Sequence, residues 1–313
     1  MLLGDRICRR MKLNDLHVLM TVVQVGSMRK AAAILNTTQP TISRLISELE
    51  HTVGATLVER HRNGIEPTEA GRALLDGGTA IFDELRQAVT RIEALADPYV
   101  GEVRIGCGFH LASTLVTAIA DQLASRHPRI AFQLVCAETT AGMYRDLKDR
   151  KVDVVIARPW NEDDEQFEFE TLLHDKYLVV AGSEHPWARR RKIETAELAH
   201  ASWVLPPKDS PPGAIVVQAF AACGLEYPHV TLTAVLPEAR IGMLATGRYL
   251  TVFPTSVLVF PTRRQALKAL PVVLPLATIP IGLVTLRRRS LHSTAKLFME
   301  HARDVAKRLS TRE

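Results

Sequence analysis

The chain has 313 residues, of which 47% are hydrophobic and 23% are charged, and its formal net charge is +5. This length is enough for two or more domains with their own hydrophobic cores. No apolar run reaches the roughly 20 residues that a membrane-spanning helix needs, and the N-terminal segment is too short and too polar for a secretory signal, so we expect a cytoplasmic protein without membrane contact.

Two short helices are predicted between residues 27 and 53. Ser27 can cap a first helix, from about Met28 to Leu35, whose small alanines allow another helix to approach closely. Asn36-Thr37-Thr38 breaks this helix. Pro40 then fits the first turn of a second helix, with Thr38 or Gln39 at its cap.

The second helix has one apolar stripe, in which Ile42, Leu45, Ile46 and Leu49 follow the spacing i, i+3, i+4, i+7. Its other face carries short polar groups and a single charge, Arg44. Such a face suits the major groove of DNA, where Arg and Gln can read purine edges. A generic helical hairpin is the alternative, because helix-turn-helix patterns also occur in proteins that do not bind DNA.

A short β-hairpin is predicted after these helices. Residues 57–60 form its first strand, His61-Arg62-Asn63-Gly64 its turn and Ile65-Glu66 its second strand, because Asn-Gly favours a two-residue hairpin. Residues 1–72 also hold ten Lys or Arg against seven Asp or Glu. Basic side chains bind phosphates with an affinity that falls steeply with salt. We therefore expect this wing to reach the DNA backbone or minor groove.

The segment from Leu13 to Leu75 resembles the N-terminal winged helix-turn-helix of the LysR-type transcriptional regulators. The motifs that carry the resemblance occur in the same order: Gly26-Ser27, Ala31-Ala32-Ala33-Ile34-Leu35, Gln39-Pro40-Thr41-Ile42-Ser43-Arg44, Leu49-Glu50, Gly54, Leu57-Val58-Glu59-Arg60 and Pro67-Thr68-Glu69-Ala70-Gly71. The resemblance implies a bacterial regulator of transcription. Its expected DNA-binding residues are Arg29, Lys30, Thr38, Gln39, Pro40, Thr41, Ser43, Arg44, Ser47, Arg60 and Arg62.

A long helix, capped by Thr68, is predicted next. Small and apolar residues recur in it at alternating steps of four and three, at Leu74, Gly78, Ile81, Leu85, Ala88, Ile92 and Leu95. This heptad seam is typical of a coiled coil. A helix packed on its own domain is the alternative, but polar flanking residues such as Asp83, Glu84 and Gln87 favour pairing with another helix.

The LysR resemblance implies the same role, a linker helix that pairs two subunits on an A/T-rich interrupted palindrome, within a tetramer of two dimers. We assign dimerisation to Leu74, Ile81, Leu85, Ile92 and Leu95. Gly77-Gly78 marks either a flexing point or a close contact between helices.

Strands and helices alternate after residue 100, which predicts a parallel α/β sheet. The predicted strands are 103–107, 131–136, 153–157, 178–181, 202–205, 230–232, 249–254, 272–274 and 281–286. The predicted helices are 115–124, 143–148, 215–223, 237–244 and 293–309. The segment resembles the periplasmic-binding-protein-like effector domain of the same family, built from two α/β lobes.

The predicted architecture is therefore an all-α winged helix-turn-helix domain (11–69), a dimerising linker helix (70–97) and a two-lobed effector domain (100–313). The first lobe comprises about 100–165 with 271–313, and the second comprises 166–270.

A ligand cleft is expected between the lobes, at the carboxyl ends of the strands. The loops 108–111 and 138–142 each precede a helix whose N-terminal amides favour an anion. Arg158 follows the third strand and supplies positive charge, and the segment 210–213 would face these groups from the second lobe. We therefore predict a small organic anion as the effector.

The resemblance places His110 and Thr140 where family members bind ligands through polar residues, although His110 departs from the serine more usual there. Arg158 stands where some members that respond to aromatic acids carry an Arg. Helix capping by His110 and Thr140 and a hinge salt bridge of Arg158 are the alternatives. The predicted effector-binding residues are His110, Leu111, Thr140, Arg158, Pro212 and Gly213.

Four cysteines, Cys8, Cys107, Cys136 and Cys223, lack the spacing of metal ligands. Buried thiols that pack as small hydrophobic groups are the expected role. Cys107 and Cys136 each end a predicted strand, so a thiol-redox sensor is an alternative function.

The predicted function is a DNA-binding transcriptional regulator with double-stranded DNA, a small effector and its own copy as partners, and RNA polymerase as a further candidate. A non-DNA solute-binding protein would need only residues 100–313. No catalytic residue, cofactor or metal site is predicted, because the chain lacks a nucleophile elbow, a zinc-binding HExxH motif and a phosphate-binding glycine loop.

Overall fold

The computed structural model describes residues 10–62, 64–97, 99–160, 164–259 and 266–310. It contains two compact units, which divide the chain after Ala88. Cys8 and the predicted turn residue Asn63 lie outside the described residues.

The first unit contains a helix-turn-helix followed by a two-stranded wing, as predicted. Its elements are α1 (Leu13–Val25), α2 (Met28–Ile34), α3 (Gln39–Val53), β1 (Val58–His61) and β2 (Gly64–Pro67). The strands pair antiparallel, with His61 opposite Gly64. A long helix, α4 (Glu69–Ala96), begins in this unit and continues into the second.

Local sequence rules account for the helix-turn-helix. The Ser27 hydroxyl caps α2 by accepting the Lys30 N–H at 3.4 Å, and Thr38 is the N-cap of α3, with Pro40 in its first turn. Ile42, Ile46 and Leu49 are at most 2% exposed. The predicted stripe of α3 therefore forms part of the core of this unit, and its polar face is left exposed.

The junction between the wing and α4 depends on a glycine. The Thr68 hydroxyl accepts the Gly71 N–H at 2.9 Å and so caps α4, as predicted. A Cβ atom at position 71 would lie 2.0 Å from the carbonyl oxygen of Leu57. On the other side, the Glu50 carboxylate accepts the Leu57 N–H at 2.8 Å. The start of the wing is thus held between α3 and α4, and a side chain at position 71 would disrupt its contact with α4.

Four residues of the predicted seam of α4 are exposed in the single chain, whereas Leu74, also assigned to dimerisation, is half-buried against the core of the first unit. Ile81, Leu85, Ile92 and Leu95 are 44%, 48%, 67% and 87% exposed. Gly78 packs on α1, since an added Cβ would lie 3.5 Å from side-chain atoms of Leu16 and Met20, whereas Gly77 has nothing within 4 Å. Of the two interpretations of the glycine pair, a close helix contact therefore applies to Gly78.

Two polar residues expected to flank this seam in solvent, Asp83 and Gln87, are instead buried. The buried carboxylate of Asp83 is stabilised by Arg86, whose Nη2 lies 2.7 Å from its Oδ1. The side of the helix that carries Asp83 and Gln87 is therefore covered, and its apolar side is exposed. A helix that packed only on its own domain would bury its apolar side instead.

The second unit is an α/β structure with two lobes, as predicted. Its strands are β3 (Gly101–Cys107), β4 (Ile130–Cys136), β5 (Val154–Ala157), β6 (Phe167–Gly182), β7 (Trp203–Leu205), β8 (Val230–Thr233), β9 (Leu250–Pro254), β10 (Leu267–Ala269) and β11 (Thr278–Leu286). Its main helices are α5 (Thr117–Arg126), α6 (Thr140–Lys148), α7 (Pro211–Ala222), α8 (Pro237–Leu244), α9 (Thr255–Val259) and α10 (Ser293–Ser310). Across the described residues the strand order is β4-β3-β5-β11-β6-β9-β7-β8, and β10 also pairs with β6.

The long strand β6 passes from one lobe to the other. Its first part, 167–176, pairs antiparallel with β11, and its second part, 177–181, pairs antiparallel with β9. The described sheet is therefore mixed and not parallel throughout as predicted, since parallel pairing is confined to β3 with β4 and β5 and to β7 with β8 and β9. The lobes therefore meet inside β6, about ten residues after the predicted boundary near residue 166. The sequence did not place this boundary because β6 is continuous across it.

Two predicted elements need correction. Residues 272–274 form no strand, because the flanking Pro271 and Pro275 lack the N–H groups that a ladder requires, and the short strand of this region is instead β10. The helix predicted from Leu115 is preceded by a helical turn, Phe109–Leu111, and a π-helical turn, Ala112–Val116. In this wide turn the Thr114 hydroxyl donates to the His110 carbonyl at 2.5 Å, so a side chain competes with the backbone for that acceptor.

A buried ion cluster joins distant parts of the first lobe. Asp153, just before β5, accepts from Arg104 of β3 at 2.8 Å and from Arg289, after β11, also at 2.8 Å. His292 Nε2 lies 3.4 Å from the same carboxylate, while its Nδ1 accepts the Ala295 N–H at the start of α10. Burial alone would raise the pKa of Asp153, but hydrogen bonds from His292 and Arg104 hold this pKa well below its usual range.

We predict that Asp153→Asn lowers the free energy of unfolding of the second unit by about 3–5 kcal/mol, because it leaves buried guanidinium groups without their counter-charge. The depressed folded-state pKa adds stability that is fully present above the unfolded pKa, about 3.9, and is lost as the pH falls below it. Urea unfolding as a function of pH measures both effects. Asp146→Asn is the control, because Asp146 pairs with the exposed Lys151 and should contribute less than about 1 kcal/mol. Equal effects of the two substitutions would contradict the prediction.

Candidate functional site

The first unit presents the predicted DNA-binding residues on its surface. Of these residues, Arg29, Lys30, Thr38, Gln39, Pro40, Arg44, Ser47, Arg60 and Arg62 are exposed, and Thr41 and Ser43 are half-buried. Arg44 lies 3.8 Å from Glu48, and both side chains are more than half exposed, so this pair holds Arg44 only weakly. The guanidinium of Arg44 is thus free to move to a new acceptor.

Arg60 connects the wing to both helices of the helix-turn-helix. Its Nη2 donates to the Ser43 hydroxyl of α3 at 3.2 Å and contacts the Met28 sulfur of α2 at 3.4 Å. Arg60 was predicted to contact DNA, whereas its contact with Ser43 was not predicted, because no spacing along the chain indicates it. The contact fixes the wing beside the polar face of α3 and leaves the exposed residues Arg29 and Arg62 on neighbouring elements.

A cavity of about 410 Å³ lies between the lobes of the second unit. The first lobe contributes the loop before α5, the start of α6 and the end of β5, and the second lobe contributes the starts of α7 and α8. The wall includes Gly108, Phe109, His110, Leu111, Thr139, Thr140, Met143, Arg158, Ser210, Pro211, Pro212, Val235, Pro237, Arg240 and Phe253. Asp175 and Tyr177 of β6 and Ile279 and Ile281 of β11 also line it.

Five of the six predicted effector-binding residues line this cavity: His110, Leu111, Thr140, Arg158 and Pro212. Gly213 is not among the lining residues, and its backbone explains why. A Cβ there would lie 1.8 Å from the Pro207 carbonyl oxygen, and the Gly213 N–H donates to the Ser210 hydroxyl at 3.2 Å. Gly213 thus lets α7 begin against the preceding loop.

Arg158 and Thr140 contact each other in the wall. The Arg158 Nε donates to the Thr140 hydroxyl at 3.0 Å, and Thr140 is only 6% exposed. The cap of α6 is Thr139, whose hydroxyl accepts the Gly142 N–H, so the capping alternative does not apply to Thr140. No ion-pair partner of Arg158 occurs within the described ranges. Its guanidinium is therefore oriented by a neutral group and keeps its charge available.

A second arginine in the wall, Arg240 of α8, escaped the sequence analysis. It is 5% exposed, lies 4.4 Å above the Phe253 ring and donates from Nη1 to the Val252 carbonyl at 3.1 Å. Its Nε is buried and has no hydrogen-bond partner among the described groups. The sequence feature that could have indicated Arg240 was Pro237, which marks the start of a helix in the second lobe. The first turn of that helix lines the cleft.

Burial sets the protonation of the polar groups around these arginines. Burial and the charge of Arg240 lower the pKa of His110 to about 4, so the imidazole is neutral at neutral pH. Burial raises the pKa of Tyr177 to about 12, assisted by Asp175, so its hydroxyl remains a donor. Burial lowers the pKa of Arg240 to about 10, which still leaves it charged. The wall thus offers two cations, a neutral imidazole and a phenol.

One carboxylate of the wall is already occupied. Asp175 is 2% exposed and accepts both the Ser256 N–H, at 2.9 Å, and the Ser256 hydroxyl, at the start of α9. These contacts stabilise its charge locally, at the first turn of a helix. The charge of Asp175 is therefore stabilised by Ser256, beside Tyr177 in the wall.

The described part of the chain holds no group of three His, Cys, Asp or Glu residues placed to bind a metal ion. Among the described helices, none combines the length and the apolar content needed to span a membrane.

Both parts of the chain match known family models. The model described as "Bacterial regulatory helix-turn-helix protein, lysR family" matches residues 13–72, and the model "LysR substrate binding domain" matches residues 96–307. The HTH-type transcriptional regulator GbpR of Azospirillum brasilense is 27% identical to this chain over 92% of this chain and 84% of its own length.

Solved structures show the same fold. Full-length CbnR complexed with its target DNA has a TM-score of 0.65 at 21% identity and covers 94% of this chain and 100% of its own. The effector-binding domain of QuiR in complex with shikimate has a TM-score of 0.52 at 20% identity, over 67% of this chain and 98% of its own. Both family models match, and the structure contains the winged helix-turn-helix and the two-lobed cavity. This protein therefore belongs to the LysR family of DNA-binding transcriptional regulators, with an effector-binding domain.

Proposed function

We propose that the regulator is switched by a small organic anion bound in the cavity between the lobes. The observation that supports this is Arg240, a buried guanidinium whose Nε has no hydrogen-bond partner among the described residues. A buried guanidinium N–H without an acceptor is unfavourable, and a ligand carboxylate would relieve it with a charge-assisted hydrogen bond. Arg158 supplies the second charge, and the start of α6, a helix N-terminus that favours an anion, lies in the same wall.

The rest of the wall favours an organic anion over an inorganic one. Leu111, Met143, Val235, Phe253 and Ile281 line the same cavity, and apolar walls contribute binding energy only to a ligand with a hydrocarbon part. His110 and Tyr177 are neutral and would bind hydroxyl or carbonyl groups of the ligand. We assign no catalytic role to these residues.

On the DNA side, the exposed face of α3 would read base edges through Gln39, Thr41 and Arg44, while Arg29, Lys30 and Arg62 would contact phosphates. The exposed seam of α4 would pair two subunits, so that two copies of α3 meet a two-fold symmetric operator. A bacterial regulator that binds chromosomal DNA must meet that DNA in the cytoplasm, and we therefore propose a cytoplasmic location.

We predict that Arg44→Ala weakens binding to the operator by about 1–3 kcal/mol and relaxes sequence preference at one position, because a base contact is lost. Lys30→Ala should weaken binding to all sequences. It should also reduce the slope of log affinity against log salt concentration by about one, as expected for the loss of one phosphate contact. Gel shifts on selected genomic fragments at several salt concentrations measure both. Arg126→Ala, an exposed arginine of α5, is the control. Failure of the wild-type protein to shift any DNA at low salt would refute the assignment of this surface.

We predict that Ile92→Glu dissociates the assembly, because burying an unpaired carboxylate in a helix seam is strongly unfavourable. Light scattering after size-exclusion chromatography gives the mass of the species in solution. Val273→Glu is the matched control, since Val273 is also exposed, at 83%, but lies outside the seam. An unchanged mass for Ile92→Glu would show that another surface joins the subunits.

We predict that Arg240→Gln reduces anion affinity by roughly tenfold or more, as expected for a charge-assisted hydrogen bond. Titration calorimetry with shikimate, benzoate and succinate, each beside its neutral amide, provides the measurement. Arg240→Lys should retain part of the affinity and the exposed Arg248→Gln all of it. Equal binding of acids and amides, or unchanged affinity in Arg240→Gln, would exclude Arg240 from the site.

A further inference from the structure

Two cysteines of the first lobe lie side by side at the edge of the cavity. Cys107 is the last residue of β3 and Cys136 the last residue of β4, and they are register partners in a parallel strand pair. Neighbouring strands are about 4.7–4.9 Å apart, which is within the range of Cα separations that a disulfide spans. Register partners also direct their side chains to the same face of the sheet. The Cys136 thiol lies close enough to that of Cys107 to raise its pKa.

The two thiols differ in accessibility. Cys136 is exposed, whereas Cys107 is buried among the apolar residues of the first lobe. Burial and the neighbouring Cys136 both raise the pKa of Cys107, which therefore stays protonated. Cys136 is thus the thiol that a dissolved oxidant reaches, and Cys107 is the second thiol held next to it.

We propose that Cys107 and Cys136 form an oxidation-sensitive dithiol, which a hydroperoxide converts into an intramolecular disulfide that joins the ends of β3 and β4. The Cys136 thiolate attacks the peroxide, so an S–O bond forms, the O–O bond breaks and one water or alcohol is released after protonation. The Cys107 sulfur then attacks the sulfenic sulfur of Cys136. An S–S bond forms, the S–O bond breaks, and the departing hydroxide takes the Cys107 proton to leave as water.

Geometry and charge favour the second step. Once Cys136 is a neutral sulfenic acid, its thiolate charge no longer opposes ionisation of Cys107. The buried thiol needs no large movement, because the two residues already pair across the sheet. Within the described chain, Cys223 lies far along the sequence, on the cap of α7, and is not part of this pair.

The disulfide would act on the effector cavity if the proposed function holds, since both strand ends continue directly into its wall. Gly108, Phe109 and His110 follow Cys107, and Ala137 and Glu138 follow Cys136. The Ala137 N–H also donates to the Cys107 carbonyl at 3.2 Å. A bond between the two sulfurs would fix the spacing of these loops, so oxidised and reduced protein should differ in anion affinity.

The test is oxidation of the full-length protein with hydrogen peroxide, alkylation of the remaining thiols and peptide mass spectrometry. The expected product is a Cys107–Cys136 cross-link within one chain, reversed by dithiothreitol, with Cys223 still alkylated. The rate of its formation should rise with pH, because the thiolate is the form that attacks the peroxide. Cys223→Ser is the matched control and should give the same cross-link.

Two variants keep the proposal falsifiable. Cys136→Ser alters an exposed residue and should abolish the cross-link, while Cys107→Ala should leave a sulfenic acid at Cys136 that dimedone traps. Oxidation of wild-type Cys136 to sulfinic acid without a cross-link, or a bond between two chains through Cys136, would overturn the proposal. These outcomes do not depend on any ligand, so they are separate from failure of the anion-binding experiment.

Discussion

The carboxylate of Asp153 is the interaction on which the first lobe depends. It lies between guanidinium groups from β3 and from the segment after β11, and it also faces the histidine that precedes α10. Removing three ionic groups from water is unfavourable, so the cluster is stable only because each charge has a partner. It fixes the starts of β3 and β5 relative to each other. His110 and Arg158 follow the opposite ends of these strands, so their spacing in the cavity depends on an ion cluster at the far end of the sheet.

The cavity is built on the strands that connect the lobes. Asp175 and Tyr177 lie where β6 changes its partner from β11 to β9, and Ile279 and Ile281 lie on β11 beside them. A ligand that contacted Arg158 of the first lobe and Arg240 of the second would also lie beside the point where β6 changes its partner strand. Under the proposed function, the binding energy of such a ligand would act directly on the angle between the lobes.

Much of the fold could be predicted because local patterns and tertiary packing agree. The stripe of Ile42, Ile46 and Leu49, the caps at Ser27 and Thr68, and the strand-helix alternation after residue 100 all correspond to elements of the structure. The continuous strand β6 could not be located from its sequence, because a strand carries no mark where its partner changes. Arg240 was missed because it lies in an otherwise ordinary short helix, and only tertiary structure shows that its Nε is buried without a partner. The Arg60–Ser43 contact joins residues of different elements, which spacing along the chain does not reveal.

The antiparallel pairing of β6 with β11 also determines how the second lobe is connected to the first. Lys176 and Thr278 are register partners, and the Tyr177 N–H donates to the Ala277 carbonyl just beyond them. The chain thus leaves the first lobe and returns to it at adjacent positions of one antiparallel pair. Residues 177–277 therefore connect two neighbouring antiparallel strands of the first lobe, as a hairpin turn does. The second lobe can therefore be regarded as an insertion into a complete smaller sheet, and its size and surface can change without altering the connectivity of the lobe that contains it.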